Sequence, residues 1–298
     1  MKIMKIIIHV LLVGIMAFLV FILLDHTISK EQPRLEPASV LKKDSDKKEK
    51  IHYVAIGDSL TEGVGDQTKR GGFVPIVADD IQTRYDLAGV EVENYGVAGE
   101  RSDQILKRIK NDQTIRDNIE TADFITMTVG GNDLMRVFQT NFFNLTIKTF
   151  NKPIKKYQQR VTDLLDEIRQ LNQTAPIYIL GIYNPFYLNF PEITDMQKIV
   201  DNWNQATEEA AKAEKLTAFI PINDLLYKGL DSKVGITSEL SETEDSSMSG
   251  NNLNSVDNNV LYEGDKFHPN NIGYQLMASV VRDELIKTQD EWLIKGQK

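Results

Sequence analysis

Short apolar segments alternate with amphipathic segments along the chain from residue 51 onward. Most of these short segments are rich in β-branched, aromatic or other large apolar residues, and each meets a Gly, Pro or Asn at one end, which is typical of buried strands. The predicted strands cover residues 52–57, 91–96, 123–129, 176–182 and 217–222. Apolar residues at helical spacing predict helices over residues 153–171, 195–214 and 271–287. This alternation predicts an α/β fold in which helices cover both faces of a parallel sheet.

The N-terminal segment is apolar over a much longer stretch than any of these strands. Residues 6–24 are almost wholly apolar, and about 20 such residues in a helix span a bilayer core of roughly 30 Å. Lys2 and Lys5 precede the segment and Asp25 follows it, so the positive-inside rule places the following residues outside the cell. We expect residues 1–24 to be an uncleaved single-pass anchor in the cell membrane. A cleaved signal peptide of a secreted protein and a buried core helix are the alternatives.

Two other segments are rich in charged and small polar residues and lack both strand and helix periodicity. Residues 25–50 are expected to be a flexible linker, which leaves 51–298 as the folded domain. Residues 231–262 are expected to be a mobile polar insertion within that domain. A loop of this length is either a functional lid or a passive insertion, and both interpretations stay open.

Composition narrows the classes of chemistry. The chain has 298 residues, a net charge of −9 and a sequence pI near 5.1, so nucleic acid is not an expected partner. It contains no cysteine, which excludes thiol nucleophiles, disulfides and thiolate metal sites. Any reaction at its site therefore uses oxygen and nitrogen groups.

Polar and glycine-rich segments follow the first three predicted strands. These segments are Gly57-Asp58-Ser59, residues 94–99 and residues 130–133. In an open parallel sheet the carboxyl ends of the strands meet at one crevice, where ligands bind. Ser59 is thus placed as a nucleophile, although Asp58 or Ser59 could merely cap a helix and each glycine could merely form a turn.

A serine nucleophile needs a base, and the chain has four histidines. His9 falls in the apolar N-terminal segment, His26 in the linker, and His52 in the first strand, where it is interpreted as an ordinary residue at the edge of the sheet. His268 is left as the base. Asp265, three residues earlier, can accept from one ring nitrogen and orient the other towards Ser59.

Four sequence blocks occur in a characteristic order: GDSL at 57–60, NYGVAG at 94–99, GGND at 130–133 and DKFHPN at 265–270. With them the chain resembles the bacterial SGNH, or GDSL, hydrolases of the lysophospholipase and thioesterase I type. The resemblance implies a flavodoxin-like three-layer α/β/α sandwich with a five-stranded parallel sheet in the order 2-1-3-4-5. It also implies catalytic Ser59, Asp265 and His268, with an oxyanion hole formed by the Ser59 N–H, the Gly99 N–H and the Asn132 side chain.

The expected function is therefore that of a serine esterase or acylhydrolase that forms an acyl-enzyme and needs no metal or organic cofactor. Lipid, short-chain and cell-wall O-acyl esters are the candidate substrates. One alternative is a catalytically inactive surface binding module with the same fold. Another is a metal-dependent phosphoesterase that uses Asp58, Asp133, Asp265 and His268 as ligands.

Overall fold

The computed structural model describes residues 46–141, 146–184, 186–187, 194–227, 229 and 258–295. The predicted anchor at 6–24 and all but the last residues of the insertion at 231–262 lie outside these ranges. Within them, none of the helices has the length and apolar character that crossing a membrane requires.

A parallel sheet forms the centre of the described residues. Its five strands are β1 (Lys50–Gly57), β2 (Gly89–Gly96), β3 (Phe124–Thr128), β4 (Ile177–Leu180) and β5 (Thr217–Ile220). They are hydrogen-bonded in the order β2-β1-β3-β4-β5, and every neighbouring pair is parallel. The predicted α/β class and strand order are confirmed, and each predicted strand overlaps an observed one.

Helices cover both faces of the sheet. They are α1 (Ser59–Glu62), α2 (Phe73–Arg84), α3 (Ser102–Asn111), α4 (Gln113–Thr121), α5 (Gly131–Thr140), α6 (Ile147–Leu171), α7 (Thr194–Ala213), α8 (Asn223–Leu226), α9 (Asn271–Lys287) and α10 (Gln289–Trp292). One apolar core joins the sheet to α2, α9 and α10, and a second joins it to α3, α4, α6 and α7. Helix α6 begins six residues before the predicted start at Pro153, because the Thr146 hydroxyl caps it by accepting from the Thr149 N–H.

Strand β1 lies inside the sheet, between β2 and β3. Its successive side chains enter opposite cores, with Tyr53 and Ala55 in one and Val54 and Ile56 in the other. The interpretation of His52 as a residue at the edge of the sheet is therefore wrong. Its ring Nδ1 lies 3.1 Å from the hydroxyl oxygen of Thr121, on the helix that precedes β3.

The folded unit is slightly larger than predicted at two boundaries. It starts at Asp46, five residues before the predicted domain start. The Lys48 ammonium donates to Asp123 at 2.7 Å and to the Trp292 carbonyl at 2.8 Å, so the last residues of the predicted linker pack on the domain. Val260 and Leu261 are buried in the core, so the end of the predicted insertion is part of the fold.

Candidate active site

The nucleophile candidate follows β1 at a tight turn. A Cβ on Gly57 would lie 2.3 Å from the Thr128 hydroxyl oxygen, so only glycine fits between the ends of β1 and β3. Asp58 is the residue that caps α1, because its carboxylate accepts from the Leu60 N–H at 3.1 Å and from the Thr128 hydroxyl at 2.8 Å. With that role taken by Asp58, the Ser59 hydroxyl is free for another partner.

Desolvation in this turn raises the pKa of Asp58, and the hydrogen bonds from Thr128 and Leu60 oppose that rise. Asp58 is 4% exposed, and its carboxylate is held by the Leu60 N–H and the Thr128 hydroxyl. Asp58 therefore shapes the turn that carries Ser59.

The structure brings Ser59, His268 and Asp265 together from the two ends of the domain. The Ser59 hydroxyl oxygen lies 2.9 Å from His268 Nε2, and His268 Nδ1 lies 2.6 Å from Asp265 Oδ2. A carboxylate only accepts hydrogen bonds, so Nδ1 carries the proton and Nε2 is left to accept from the serine hydroxyl. This is the hydrogen-bond chain that a serine nucleophile requires.

Asp265 is held by its backbone surroundings as well as by the imidazole. Its Oδ1 accepts from the N–H groups of Phe267 at 2.9 Å and His268 at 3.0 Å. Partial burial raises the pKa of Asp265, but the hydrogen bonds from the His268 ring and from these N–H groups outweigh it, so the pKa lies below its ordinary value. The carboxylate is thus charged at neutral pH and fixes the imidazole orientation.

The predicted oxyanion donors lie on loops after β2 and β3. The Asn132 side-chain amide donates to the Glu100 carbonyl at 2.9 Å, and Ser59 and Asn132 line the same cleft. Gly99 precedes Glu100 and has a φ of +82°, a conformation that favours glycine. In the described part of the chain, no hydrogen bond joins the Ser59 or Gly99 N–H to another protein group.

Neighbouring ion pairs and hydrogen bonds hold the loop that carries Gly99. The Glu100 carboxylate pairs with Arg108 at 2.8 Å, and the Ala98 N–H donates to Glu62 at 2.5 Å. Asn132 adds its bond to the Glu100 carbonyl. These contacts come from three different elements, so the loop is fixed before any substrate arrives.

Sequence reasoning missed most of the residues that form the cleft beside Ser59. The cleft encloses about 520 Å³ including its mouth, and it is mainly apolar. Its apolar lining comprises Leu60, Val129, Leu134, Met135, Ile182, Tyr183 and Phe267. The Tyr183 hydroxyl also donates to the Phe267 carbonyl and so ties the end of β4 to the loop of His268. The sequence did offer one signal for part of this lining, because Gly181-Ile182-Tyr183 directly follows β4. The segments after β1, β2 and β3 were already predicted to form the site, so the segment after β4 could have been added to them.

The carboxylates proposed as ligands of a phosphoesterase metal lie in separate surroundings. Asp133 is 3% exposed, and it accepts from the Ser102 N–H at 2.8 Å and the Ser102 hydroxyl at 2.6 Å. Burial raises its pKa against the effect of these bonds. Across the residues that the structure describes, no three His, Cys, Asp or Glu side chains are grouped so as to hold a metal ion.

The parallel sheet and the Ser59–His268–Asp265 hydrogen-bond chain are an arrangement suited to an α/β enzyme with a serine nucleophile. Residues 55–276 match the model of the GDSL-like Lipase/Acylhydrolase family. The protein belongs to this family and is a hydrolase of esters, as its four sequence blocks predicted.

Three proteins with different names are similar to this chain in sequence. The protein is 36% identical to Uncharacterized protein YpmR of Bacillus subtilis over 240 residues, and this matched region is 80% of this chain and 83% of the relative. It is 25% identical to Spore germination lipase LipC of Bacillus licheniformis, over 56% of this chain and 77% of that one. It is also 24% identical to an acetylxylan esterase of Geobacillus stearothermophilus, over 53% of this chain and 69% of the relative.

Solved structures of esterases share the fold. A lipase from a goat rumen metagenome superposes with a TM-score of 0.60 at 22% identity and covers 78% of this chain and 96% of its own. A catalytic mutant of the acetylxylan esterase Axe2 from Geobacillus stearothermophilus superposes with a TM-score of 0.52 at 17% identity, over 79% of this chain and 94% of its own. At these identities the likeness concerns the fold.

Proposed function

We propose that the protein is a serine esterase that hydrolyses carboxylic esters through an acyl-enzyme on Ser59. The observation that carries the proposal is the continuous chain from the Ser59 hydroxyl to His268 at 2.9 Å and from His268 to Asp265 at 2.6 Å. A serine hydroxyl is a weak nucleophile on its own and reacts when an oriented base takes its proton. In this hydrogen-bond chain His268 is the base and Asp265 is the carboxylate that orients it.

In the first step the Ser59 oxygen attacks the ester carbonyl while His268 Nε2 takes the hydroxyl proton. The developing oxyanion accepts hydrogen bonds from the N–H groups of Ser59 and Gly99 and from the Asn132 amide. His268 then gives its proton to the leaving alcohol. In the second step a water molecule gives a proton to His268 and attacks the acyl-enzyme carbonyl. His268 then returns the proton to the Ser59 oxygen as the carboxylic acid is released.

We assign the apolar cleft to the acyl group of the substrate. Leu134, Met135 and Ile182 lie beside Ser59, and burial of a CH₂ group from an acyl chain in such surroundings is worth about 0.8 kcal/mol. The related proteins carry the names of a lipase and an acetylxylan esterase, which supports ester substrates with either lipid or carbohydrate alcohols. From the apolar segment at 6–24 we propose that the enzyme acts outside the cell membrane.

The test combines active-site labelling with a substrate series. Wild-type protein should react with a fluorophosphonate probe and hydrolyse nitrophenyl esters of increasing chain length, and Ser59→Ala should do neither. Ser279→Ala is the matched control, because this serine lies on α9 and donates only to the Gln275 carbonyl at 2.8 Å. Labelling of Ser59→Ala to the wild-type level contradicts Ser59 as the nucleophile. An unlabelled wild type contradicts the mechanism and favours a binding module.

A further inference from the structure

A groove lined by basic side chains lies beside the ester cleft. We call it the cationic groove, and it encloses about 1190 Å³ of open space. Its basic residues are Arg101, Arg136, Lys152, Lys156 and Arg160. Only two acidic residues, Asp103 and Asp133, share the lining. Five cations against two carboxylates is the reverse of the balance in the whole chain, whose net charge is −9.

Two of the five cations are paired and three are not. Arg101 pairs with Asp103 at 3.1 Å, and Arg160 pairs with Asp133 at 3.2 Å. Arg136, Lys152 and Lys156 are exposed, and among the described residues no ion pair joins them to a carboxylate. These three side chains are therefore available to a ligand.

Three of the basic residues follow one another along α6 at intervals of four. Lys152, Lys156 and Arg160 occupy successive turns, which places their backbone positions about 6 Å apart and spreads the row over roughly 12 Å. Like charges at this spacing destabilise an isolated helix. Arg160 offsets this repulsion through its ion pair with Asp133, whereas Lys152 and Lys156 have no ion pair among the described residues. A ligand with several negative groups would offset the repulsion between them.

Helix α5 separates the cationic groove from the ester cleft. Asn132, Leu134 and Met135 line the cleft, whereas Asp133, Arg136 and Val137 line the groove. An α-helix with its side chains is about 10–12 Å across. A molecule in the groove thus lies across α5 from the cleft that Ser59 lines, a separation on the order of one helix diameter.

We propose that the cationic groove binds the negative groups of the ester substrate, which is an O-acylated polymer with repeated phosphate or carboxylate groups. This inference rests on the proposed esterase function. A groove larger than the ester cleft and a row of cations over roughly 12 Å fit several anionic groups of one chain, whereas a single anion would use one of them. The distance across α5 lets one unit of the polymer present its acyl ester to Ser59 while neighbouring units occupy the groove.

Direct binding tests the site without depending on catalysis. The measurement is the Kd of inorganic polyphosphate and of polygalacturonate for full-length Ser59→Ala protein. The groove variant carries Arg136→Gln, Lys152→Gln and Lys156→Gln. The control variant carries Lys107→Gln, Lys148→Gln and Lys155→Gln, which removes the same charge from exposed lysines outside the groove.

We expect the groove variant to bind at least one of the two polymers about tenfold more weakly, and the control to change Kd less than about twofold. The effect should shrink as salt screens the charges. The polymer with the lower Kd identifies phosphate or carboxylate as the recognised group. If neither polymer binds, or if both variants weaken binding equally, the groove is not a specific anion site and the proposal is overturned.

Activity distinguishes a failure of this inference from a failure of the esterase assignment. With Ser59 restored, the groove variant should hydrolyse neutral nitrophenyl acetate within about twofold of wild type, because Arg136, Lys152 and Lys156 lie outside the ester cleft. Its kcat/KM on an acetylated anionic polymer should fall about tenfold, mainly through KM. An unchanged kcat/KM on the polymer refutes the groove, whereas a wild type inactive on nitrophenyl acetate refutes the esterase.

Discussion

Asp265→Asn is the substitution that tests how the imidazole is oriented. The asparagine oxygen can still accept from the Phe267 and His268 N–H groups, which Asp265 Oδ1 now holds at 2.9 and 3.0 Å. The amide nitrogen then replaces the oxygen that accepts from His268 Nδ1 at 2.6 Å. Because an amide NH₂ group cannot accept this proton, the ring moves its proton to Nε2 and loses the ability to take one from Ser59.

The structure sets the size of the effect. An imidazolium about 4 Å from a carboxylate gains about 4 kcal/mol at an effective dielectric constant near 20, and about 1 kcal/mol in bulk water. The Asp265 side chain is 36% exposed and that of His268 18% exposed, so the pair lies between these limits. We expect kcat/KM to fall about 10²-fold, within a range of roughly 5-fold to 10³-fold.

The assay is steady-state hydrolysis of nitrophenyl acetate, with thermal unfolding measured on the same preparations. Glu263→Gln is the matched control, because Glu263 is exposed in the same loop and the change removes the same charge. Asp265→Asn should keep the wild-type Tm within a few degrees while it loses turnover. Turnover within about threefold of wild type at an unchanged Tm refutes the role of Asp265 as the partner of His268.

Three further changes test other parts of the site. Asn132→Ala removes an oxyanion donor and should lower kcat about 10²–10³-fold with little change in Tm; normal turnover rejects this role. Asp66→Asn should cost about 1–3 kcal/mol of unfolding free energy, because Asp66 accepts from the N–H groups of Thr68, Arg70, Gly71 and Gly72. Partial burial raises the pKa of Asp66, but the hydrogen bonds outweigh it, so the folded pKa lies below the ordinary value of 3.8. The stability that Asp66 contributes is therefore complete above pH 3.8 and is lost as the pH falls through the lower folded pKa. The stability difference between the two proteins, measured during acid titration, should shrink in that range. Gly96→Ala places a Cβ 2.0 Å from the Glu62 backbone nitrogen and should lower Tm sharply, which thermal unfolding measures.

The fold could be predicted because its periodicity is local. The segment around Val54 is a continuous apolar run, and the one around Ile125 is interrupted only by buried threonines, as expected for strands buried on both faces. Helical spacing of apolar residues predicted the observed bounds of α9. The start of α6 was predicted at Pro153 because proline is common in the first turn of a helix. The helix instead begins at Ile147, where the Thr146 hydroxyl caps it.

The grouping of Ser59, His268 and Asp265 could be predicted because each lies in a short sequence block, and their catalytic roles stay a prediction. The apolar lining of the cleft could not, since Met135 and Tyr183 become neighbours only through the order of the strands. The misplacement of His52 had another cause, since the predicted strand order already puts β1 between β2 and β3 and the error lay in interpreting His52 apart from that order. The contact of Lys48 with Asp123 likewise joins residues 75 positions apart and leaves no local pattern.

The proposed nucleophile and its base stand 209 residues apart in the chain. Ribosomes add about 5–20 residues per second, so His268 is made roughly 10–40 s after Ser59. Under the proposed mechanism, the growing chain in that interval has the serine without its base, and we expect it to hydrolyse no ester. Ribosome-stalled chains that end before His268 should resist fluorophosphonate labelling, and chains that extend through α9 should accept it. We therefore expect the order of synthesis to leave the protein without esterase activity until the domain is nearly complete.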